Sequence, residues 1–223
     1  MFECSFCHRS FQRETSLAVH MCEIKRRNRE RSERGVQLGL QAFLKFYETL
    51  QGTSRLKTWE DFVGSSYYRA FVKWGRYCVN THAIMPERFL DWLLKHNKKI
   101  DHWSSDAVYT EYLIQYLPQE AVQDAMRRAE AWGLDWSERT GSPARDCLRY
   151  GNSNSICHAV VTGRISAWIL YNCDTGREFL SQLDQAQTQM IWPYIDTDRW
   201  ARRFQDYAAD QFWVESQLRD WGW

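Results

Sequence analysis

Apolar residues beyond Gly35 recur with the period of amphipathic α-helices. In residues 36–50 they stand at i, i+4, i+7, i+8 and i+11, which places them on one face of a helix that we expect to end at Gly52. A second helix is predicted over residues 65–79. The apolar positions of the first helix are Val36, Leu40, Phe43, Leu44 and Tyr47.

Further helices follow from start and stop signals. One begins at Pro86, because proline suits the first turn of a helix. The next covers residues 104–117 behind a serine cap, and another runs over residues 118–132 and ends at Gly133. The last helices are predicted over residues 177–192 and from about Thr197 onward.

Residues 156–171 allow two interpretations. The segment reads as a β-hairpin that turns at Thr162 and Gly163, or as a short extended piece followed by a helix capped by Ser166. We favour the helix from Ser166. Residues 151–155, with the sequence GNSNS, are expected to form a surface turn.

The composition agrees with a folded protein. Of the 223 residues, 44% are hydrophobic and 26% are charged, which excludes disordered, collagen-like and mucin-like chains. No apolar run approaches the roughly 18 residues of a membrane-spanning helix, and the first residues lack the apolar core of a secretory signal. We therefore expect a cytoplasmic protein with no membrane partner.

Tryptophan and cysteine are distributed differently. The 12 tryptophans are spread from Trp59 to Trp223, which is more typical of core packing than of a base-stacking surface. The seven cysteines are odd in number and unevenly spaced, which argues against a disulfide framework. Cys4, Cys7 and Cys22 stand close together, which favours a metal site at the front with free thiols behind it.

Residues 2–20 carry the pattern Phe-x-Cys-x2-Cys-x3-Phe-x5-Leu-x2-His. It resembles the front three quarters of a C2H2 zinc finger, a small ββα unit. Cys4 and Cys7 then come from the knuckle of a hairpin and His20 from the helix. About 25 residues bury too little apolar surface to fold alone, so zinc supplies the missing stability.

The pattern departs from that family after His20. The family has a second histidine three to five residues later, whereas this chain offers Cys22 two residues on. Positions i and i+2 point to nearly opposite sides of a helix, so Cys22 reaches the metal only if the helix unwinds or tightens at Met21. The alternatives are a metal-free thiol hairpin or a ligand from the body. We predict a C2HC zinc site made by Cys4, Cys7, His20 and Cys22.

The zinc-finger resemblance also implies which residues would face DNA. In the register of that family they are Arg13, Ser16 and Val19. Arg13 suits two hydrogen bonds to guanine, whereas Ser16 discriminates weakly and Val19 offers only an apolar surface. One finger reads about 3 base pairs, so we expect no sequence-specific recognition by this finger alone.

A basic segment follows the finger. Residues 1–34 contain eight Lys and Arg against five Glu, whereas the rest of the chain has 21 basic and 23 acidic residues. One interpretation is a helical arm that lies along phosphates. The other is a solvated connecting helix. Glu23 stands four residues before Arg27, and Glu30 four residues before Arg34, so the helix can be stabilised by its own ion pairs. The adjacent finger favours the first. The candidate phosphate contacts are Lys25, Arg26, Arg27 and Arg29.

A second resemblance rests on three segments of the body: residues 65–79, the triplet Asp101-His102-Trp103, and residues 165–172 with the following Gly176. They look like an uncharacterised protein family of T4-like tailed bacteriophages, whose members also begin with such a finger. This resemblance implies the cytoplasm of an infected bacterium and a role around phage DNA or transcription. It supplies no catalytic residues.

Enzymatic signatures are absent from the sequence. Cys157 and His158 are adjacent in a segment where neighbouring side chains point apart. His82, His96 and His102 lack a metal-binding spacing such as HExxH. Neither a Walker pattern nor GxGxxG occurs. We therefore predict that the protein is not an enzyme.

These observations predict a mainly α protein with at most a small β element. Its parts are a zinc finger at residues 1–23, a basic connecting helix at 24–35 and a helical domain at 36–223. The predicted function is that of a nonenzymatic accessory protein that binds nucleic acid, DNA more than RNA, and a protein partner through the helical domain. The alternatives are an interaction protein that docks through its finger and an enzyme without a linear motif.

Overall fold

The computed structural model describes residues 1–51 and 56–223, so Gly52, the expected end of the first helix, lies outside the described residues. The chain divides into two compact units, residues 1–108 and 109–223. Within the described residues the only sheet has two strands and helices make up most of the rest, which confirms the mainly α fold class. The predicted three-part division of the chain stays a prediction.

Unit 1 begins with the ββα motif. Strand β1 pairs antiparallel with β2, and Phe2 lies opposite Phe11. Helix α2 ends at Arg29 and residues 30–33 form a turn, so the basic segment is a short helix and a turn rather than one helix over 24–35. The elements are β1 Phe2–Glu3, β2 Ser10–Phe11, α1 Glu14–Ala18, α2 Glu23–Arg29, α3 Arg34–Gln51, α4 Trp59–Gly64, α5 Tyr68–Asn80 and α6 Pro86–Lys95.

Helices α3 and α5 pack with their backbones in contact, because glycines occupy the crossing. A Cβ atom built on Gly75 would lie 2.0 Å from the carbonyl oxygen of Gly35 and 2.8 Å from the backbone nitrogen of Gly39. The remaining core of unit 1 is largely aromatic. Its fully buried rings include Phe62, Phe71, Phe89, Trp74 and Trp103.

The helices that follow pack the larger side chains of unit 2 between them. Seven of the 12 tryptophans are buried in the two units together, which agrees with the predicted core role. The remaining helices are α7 Asp106–Tyr116, α8 Val122–Thr140, α9 Cys147–Tyr150, α10 Ser153–Val161, α11 Ala167–Asn172, α12 Asp174–Ser181, α13 Gln185–Ile195, α14 Thr197–Asp206 and α15 Ala208–Asp220.

The predicted bounds of helix α8 were wrong at both ends. Pro118 lies in a 3-10 turn, and the helix begins at Val122. Gly133 does not end the helix but sits inside it, where a Cβ atom would meet the Trp223 ring at 2.9 Å. The helix ends instead at Gly141, whose φ of 72° is the left-handed conformation that glycine adopts readily.

Residues 152–161 also differ from the prediction. The segment expected to be a turn and then extended is helix α10, because the Asn152 side chain accepts a hydrogen bond from the Ser155 N–H and caps it. The favoured helix after Ser166 is confirmed as α11, which that serine caps. Asp184 starts a new helix inside residues 177–192, and Tyr207 separates the two C-terminal helices.

A buried ion pair joins Glu120, just before α8, to Arg128 on that helix. Glu120 is 1% exposed, and its carboxylate accepts a hydrogen bond from Arg128 at 2.5 Å, while the same guanidinium donates to the Gly163 carbonyl. Burial raises the pKa of Glu120 to about 7, although the positive charge of Arg128 opposes this rise. Between about pH 4.5 and pH 7, the folded protein therefore holds a proton on Glu120 that the unfolded chain has already released.

We expect Arg128→Met to destabilise unit 2 by about 3 kcal/mol at pH 8, because it leaves a buried carboxylate without its cation. The loss should shrink at pH 5. Without Arg128 the pKa of Glu120 rises further above its unfolded value, so falling pH favours the folded state by protonating the carboxyl. Urea unfolding at both pH values, with the wild type measured alongside, checks this prediction. Arg127→Met is the control, since Arg127 is 74% exposed. An equal loss at pH 8 and pH 5 would contradict it.

Candidate metal centre and the basic residues beside it

Three thiols and one imidazole converge at the base of the ββα motif. The ligand atoms of Cys4, Cys7, His20 and Cys22 all lie within 4.8 Å of one another. The two cysteine sulfurs of Cys4 and Cys22 are 4.0 Å apart, and the Cys7 sulfur is 3.3 Å from His20 Nε2. Ligand atoms around a tetrahedral zinc ion stand roughly 3.5–3.8 Å apart, so these spacings fit a metal ion of that kind.

A tight turn between the strands presents the first two thiols. The Cys4 N–H donates to the Arg9 carbonyl at 3.0 Å, and the His8 N–H donates to the Cys4 carbonyl at 2.9 Å. His8 takes up a left-handed φ of 57° at this turn. Its Nδ1 lies 2.9 Å from a Glu3 carboxylate oxygen, so the His8 ring is engaged outside the cluster.

The other two ligands come from the junction between α1 and α2. Helix α1 ends at Ala18, so His20 lies beyond the helix and not on it, contrary to the prediction. The chain is non-helical from His20 to Cys22, which satisfies the condition predicted for Cys22 to reach the cluster. Cys22 is extended and caps α2, and its sulfur accepts the Lys25 N–H at 3.4 Å.

The packing and acid–base properties of the site favour a bound cation. The Phe11 ring packs on the His20 ring with 4.7 Å between centroids. Backbone N–H groups of Phe6 and Cys7 lower the pKa of the Cys4 thiol to about 7. The Arg9 N–H acts in the same direction on Cys7, but burial and the neighbouring thiols raise its pKa overall. Crowded thiols resist a second negative charge, and a metal ion relieves that repulsion.

The structure gives Arg27 a structural role within unit 1. Its side chain is only 11% exposed, and it forms an ion pair with Glu23 at 2.6 Å. The guanidinium also donates to the carbonyls of Val63 and Ser65 and lies over the Tyr68 ring at 4.3 Å. One of the four predicted phosphate contacts is therefore engaged with α4 and α5.

The other candidate residues are more accessible. Arg26 and Arg29 are exposed on α2, and Arg13 and Ser16 are exposed on the finger. Lys25 is half-buried, and its ammonium donates to the His20 carbonyl at 3.3 Å. Among the cations predicted to contact nucleic acid, Arg13, Arg26 and Arg29 are therefore the most accessible to a phosphate.

Three cations on α5 were missed in the sequence analysis. Arg69, Lys73 and Arg76 follow one another at i, i+4 and i+7, so they share one face of the helix. Their spacing was visible in the sequence, but the excess of basic residues in residues 1–34 placed the predicted basic surface there instead. This basic face lies beside α2 in unit 1, where Arg69 contacts Glu23 at 3.0 Å.

The remaining candidates for chemistry do not assemble. Cys157 is buried and His158 is exposed on α10, and burial raises the pKa of the Cys157 thiol. The Asp196 side chain caps α14 by accepting a hydrogen bond from the Arg199 N–H. Among residues 1–51 and 56–223, the finger cluster is the only group of at least three side chains placed to share a metal ion.

Comparison with protein-family models, curated proteins and solved structures gave no match. The finger therefore rests on its own geometry, and the resemblance to a phage family stays a prediction. In the part of the chain that the structure describes, no helix is both long and apolar enough to cross a membrane.

Proposed function

We propose that this chain is a zinc-stabilised, nonenzymatic accessory protein that binds the phosphate backbone of nucleic acid, with DNA favoured over RNA. The observation that carries the proposal is the C2HC cluster, which holds the finger directly against a basic helix. Arg13 on the finger and Arg29 on α2 are exposed and supply the first phosphate contacts. The helical remainder of the chain serves a protein partner.

The zinc ion has a structural role in this proposal. Four protein ligands complete a tetrahedral site and leave no open position for substrate, as in structural zinc sites. The ion holds the finger together and fixes the junction between His20 and Cys22. Cys157 is buried and His158 is exposed, so these two neighbours do not offer a nucleophile and a base to one substrate.

We expect the double variant Arg13→Glu and Arg29→Glu to bind DNA at least 10-fold more weakly than the wild type. The variant loses two cations and gains two repelling charges, and the salt dependence of binding should flatten by about 0.7–0.9 log units for each phosphate that is no longer neutralised. Fluorescence anisotropy with labelled DNA and RNA across a salt series measures both effects. Arg88→Glu on α6 is the matched control, because Arg88 is exposed and belongs to neither the finger nor α2. Unchanged affinity in the double variant would remove this proposal.

A second candidate function is docking onto a protein through the finger. It is favoured by apolar side chains that the finger leaves exposed, with Val19 at 83%, Met21 at 45% and Phe6 at 39%. The fixation of α2 by Arg27 also fits a connector that holds such a finger in place. A stable protein complex that nuclease digestion leaves intact would support this candidate over the first.

A further inference from the structure

A groove of about 610 Å³ lies between α2 and α5 in unit 1. Arg26 and Arg27 line the α2 side, and Arg69, Lys73 and Arg76 line the α5 side. Cations thus face the groove from both helices. We call this feature the basic groove.

The charge of the basic groove is not balanced by its acidic residues. Its two carboxylates, Glu23 and Glu30, are engaged by arginines: Glu23 pairs with Arg27 and Arg69, and Glu30 with Arg76. Arg26 reaches Glu23 only at 3.9 Å and is 57% exposed. Lys73 is exposed and has no ion pair with any described residue. An anion can therefore bind without breaking the ion pairs that fasten α2 to α5.

The floor of the basic groove is apolar. Val72 and the Tyr68 ring form this floor, and Tyr68 is only 4% exposed. Its hydroxyl has no hydrogen-bond partner within the described residues. The hydroxyl is itself shielded from solvent, so the groove presents an occupant with the charges on its two sides and an apolar floor.

The arrangement of the cations indicates the kind of anion. Arg69 and Arg76 are seven residues apart, or roughly 10 Å along the helix axis, with Lys73 between them. Such a row suits an anion that repeats along a chain better than one compact phosphate. Proteins that bind single strands use a positively charged groove that follows the backbone, whereas duplexes present their phosphates to a broad outer surface.

We propose that the basic groove binds a single nucleic-acid strand through its phosphates, with Lys73 and Arg26 as its principal contacts. This inference rests on the proposed function and deepens it, since it names the form of nucleic acid and adds contacts on α5. The finger then lies at the front of the same unit, where Arg13 contacts a neighbouring part of the nucleic acid.

The experiment measures binding of the full chain to a labelled oligo-dT strand and to a duplex of equal length across a salt series. We expect the strand to bind more tightly than the duplex. Lys73→Glu and Arg26→Glu should each weaken strand binding at least 10-fold, and Lys73→Gln should flatten the salt dependence by about 0.7 log units. Arg88→Glu again serves as the control. Lys73 is exposed, so its variants should fold, which circular dichroism checks.

The other outcomes separate this inference from the proposed function. Strand binding that is unaffected by Lys73→Glu but weakened by the Arg13 and Arg29 double variant overturns the groove and keeps the proposed function. Duplex binding tighter than strand binding overturns the assignment to a single strand. If poly-glutamate binds more tightly than oligo-dT and Lys73→Glu weakens it, the occupant is an acidic peptide, which opposes both proposals.

Discussion

Cys4→Ser should yield purified protein without stoichiometric zinc, whereas the wild type should carry one zinc ion per chain. Cys4 is 3% exposed and is one of only four ligands, so serine leaves a three-ligand site. Changes to groups that merely orient a ligand reduce metal affinity 10–100-fold, and loss of a ligand itself should exceed about 100-fold. Metal analysis by mass spectrometry, and visible absorption after cobalt substitution, measure the effect.

Two variants serve as controls for the metal prediction. Cys173→Ser should keep the zinc, because Cys173 lies outside the cluster and caps α12, a position that serine also fills well. Cys22→Ser should lose the zinc although serine can still cap α2, so it separates the metal-ligand role of Cys22 from its capping role. Retention of one tightly bound zinc by Cys22→Ser would contradict its assignment as fourth ligand.

Chelation provides an independent test. Without zinc, residues 1–22 should unfold, because their two-residue strands and five-residue helix bury too little surface to persist alone. Trypsin should then cleave after Arg9 and Arg13. Arg27 should stay protected, since it remains bonded to the Val63 and Ser65 carbonyls. A finger that resists trypsin after metal removal would refute the structural role of zinc.

Gly75→Ala is expected to destabilise unit 1 by about 3 kcal/mol or more. Alanine normally favours a helix over glycine by about 0.5–1 kcal/mol, but a Cβ atom here would lie 2.0 Å from the Gly35 carbonyl oxygen. The atoms that it meets on Gly35 and Gly39 belong to the backbone, so α3 and α5 must move apart and loosen the aromatic core between them. Urea unfolding monitored by tryptophan fluorescence measures the loss.

Gly64→Ala is the matched control for this crossing. Gly64 is the last residue of α4, and a Cβ atom there meets nothing within 4 Å. We expect its effect on the free energy of unfolding to stay within about 1 kcal/mol. Similar stability of Gly75→Ala and Gly64→Ala would show that the two helices do not meet through their backbones.

The finger and most helices were predictable because their signals are local. The spacing from Cys4 to His20 fits within 17 residues, and the apolar stripe of α3 repeats every turn. The sequence indicated Cys22 as the fourth ligand only because no second histidine follows His20 at the usual spacing. Its extended conformation and its place at the start of α2 depend on how the two helices meet, which no local pattern shows.

The errors come from contacts between distant residues. Gly133 resembles a helix end in the sequence. In the structure it lies inside α8, where the Trp223 ring, 90 positions later in the chain, leaves no room for a side chain. Helix α10 was missed because its β-branched residues favour a strand, although the buried Ile156, Cys157 and Val160 have helical spacing. Arg27 looked like a phosphate contact because its partners Val63 and Ser65 lie more than 35 residues away.

The double duty of Cys22 limits how this finger can be transplanted. A chimaera that took only residues 1–22 would separate a metal ligand from the helix that it caps. A graft through Arg29 would keep the cap but expose the Asn28 amide, which accepts the Trp59 indole N–H at 2.8 Å. The smallest segment that can be transferred intact therefore extends through α4. The orientation of the finger depends on α2 and α4, which follow it in the chain.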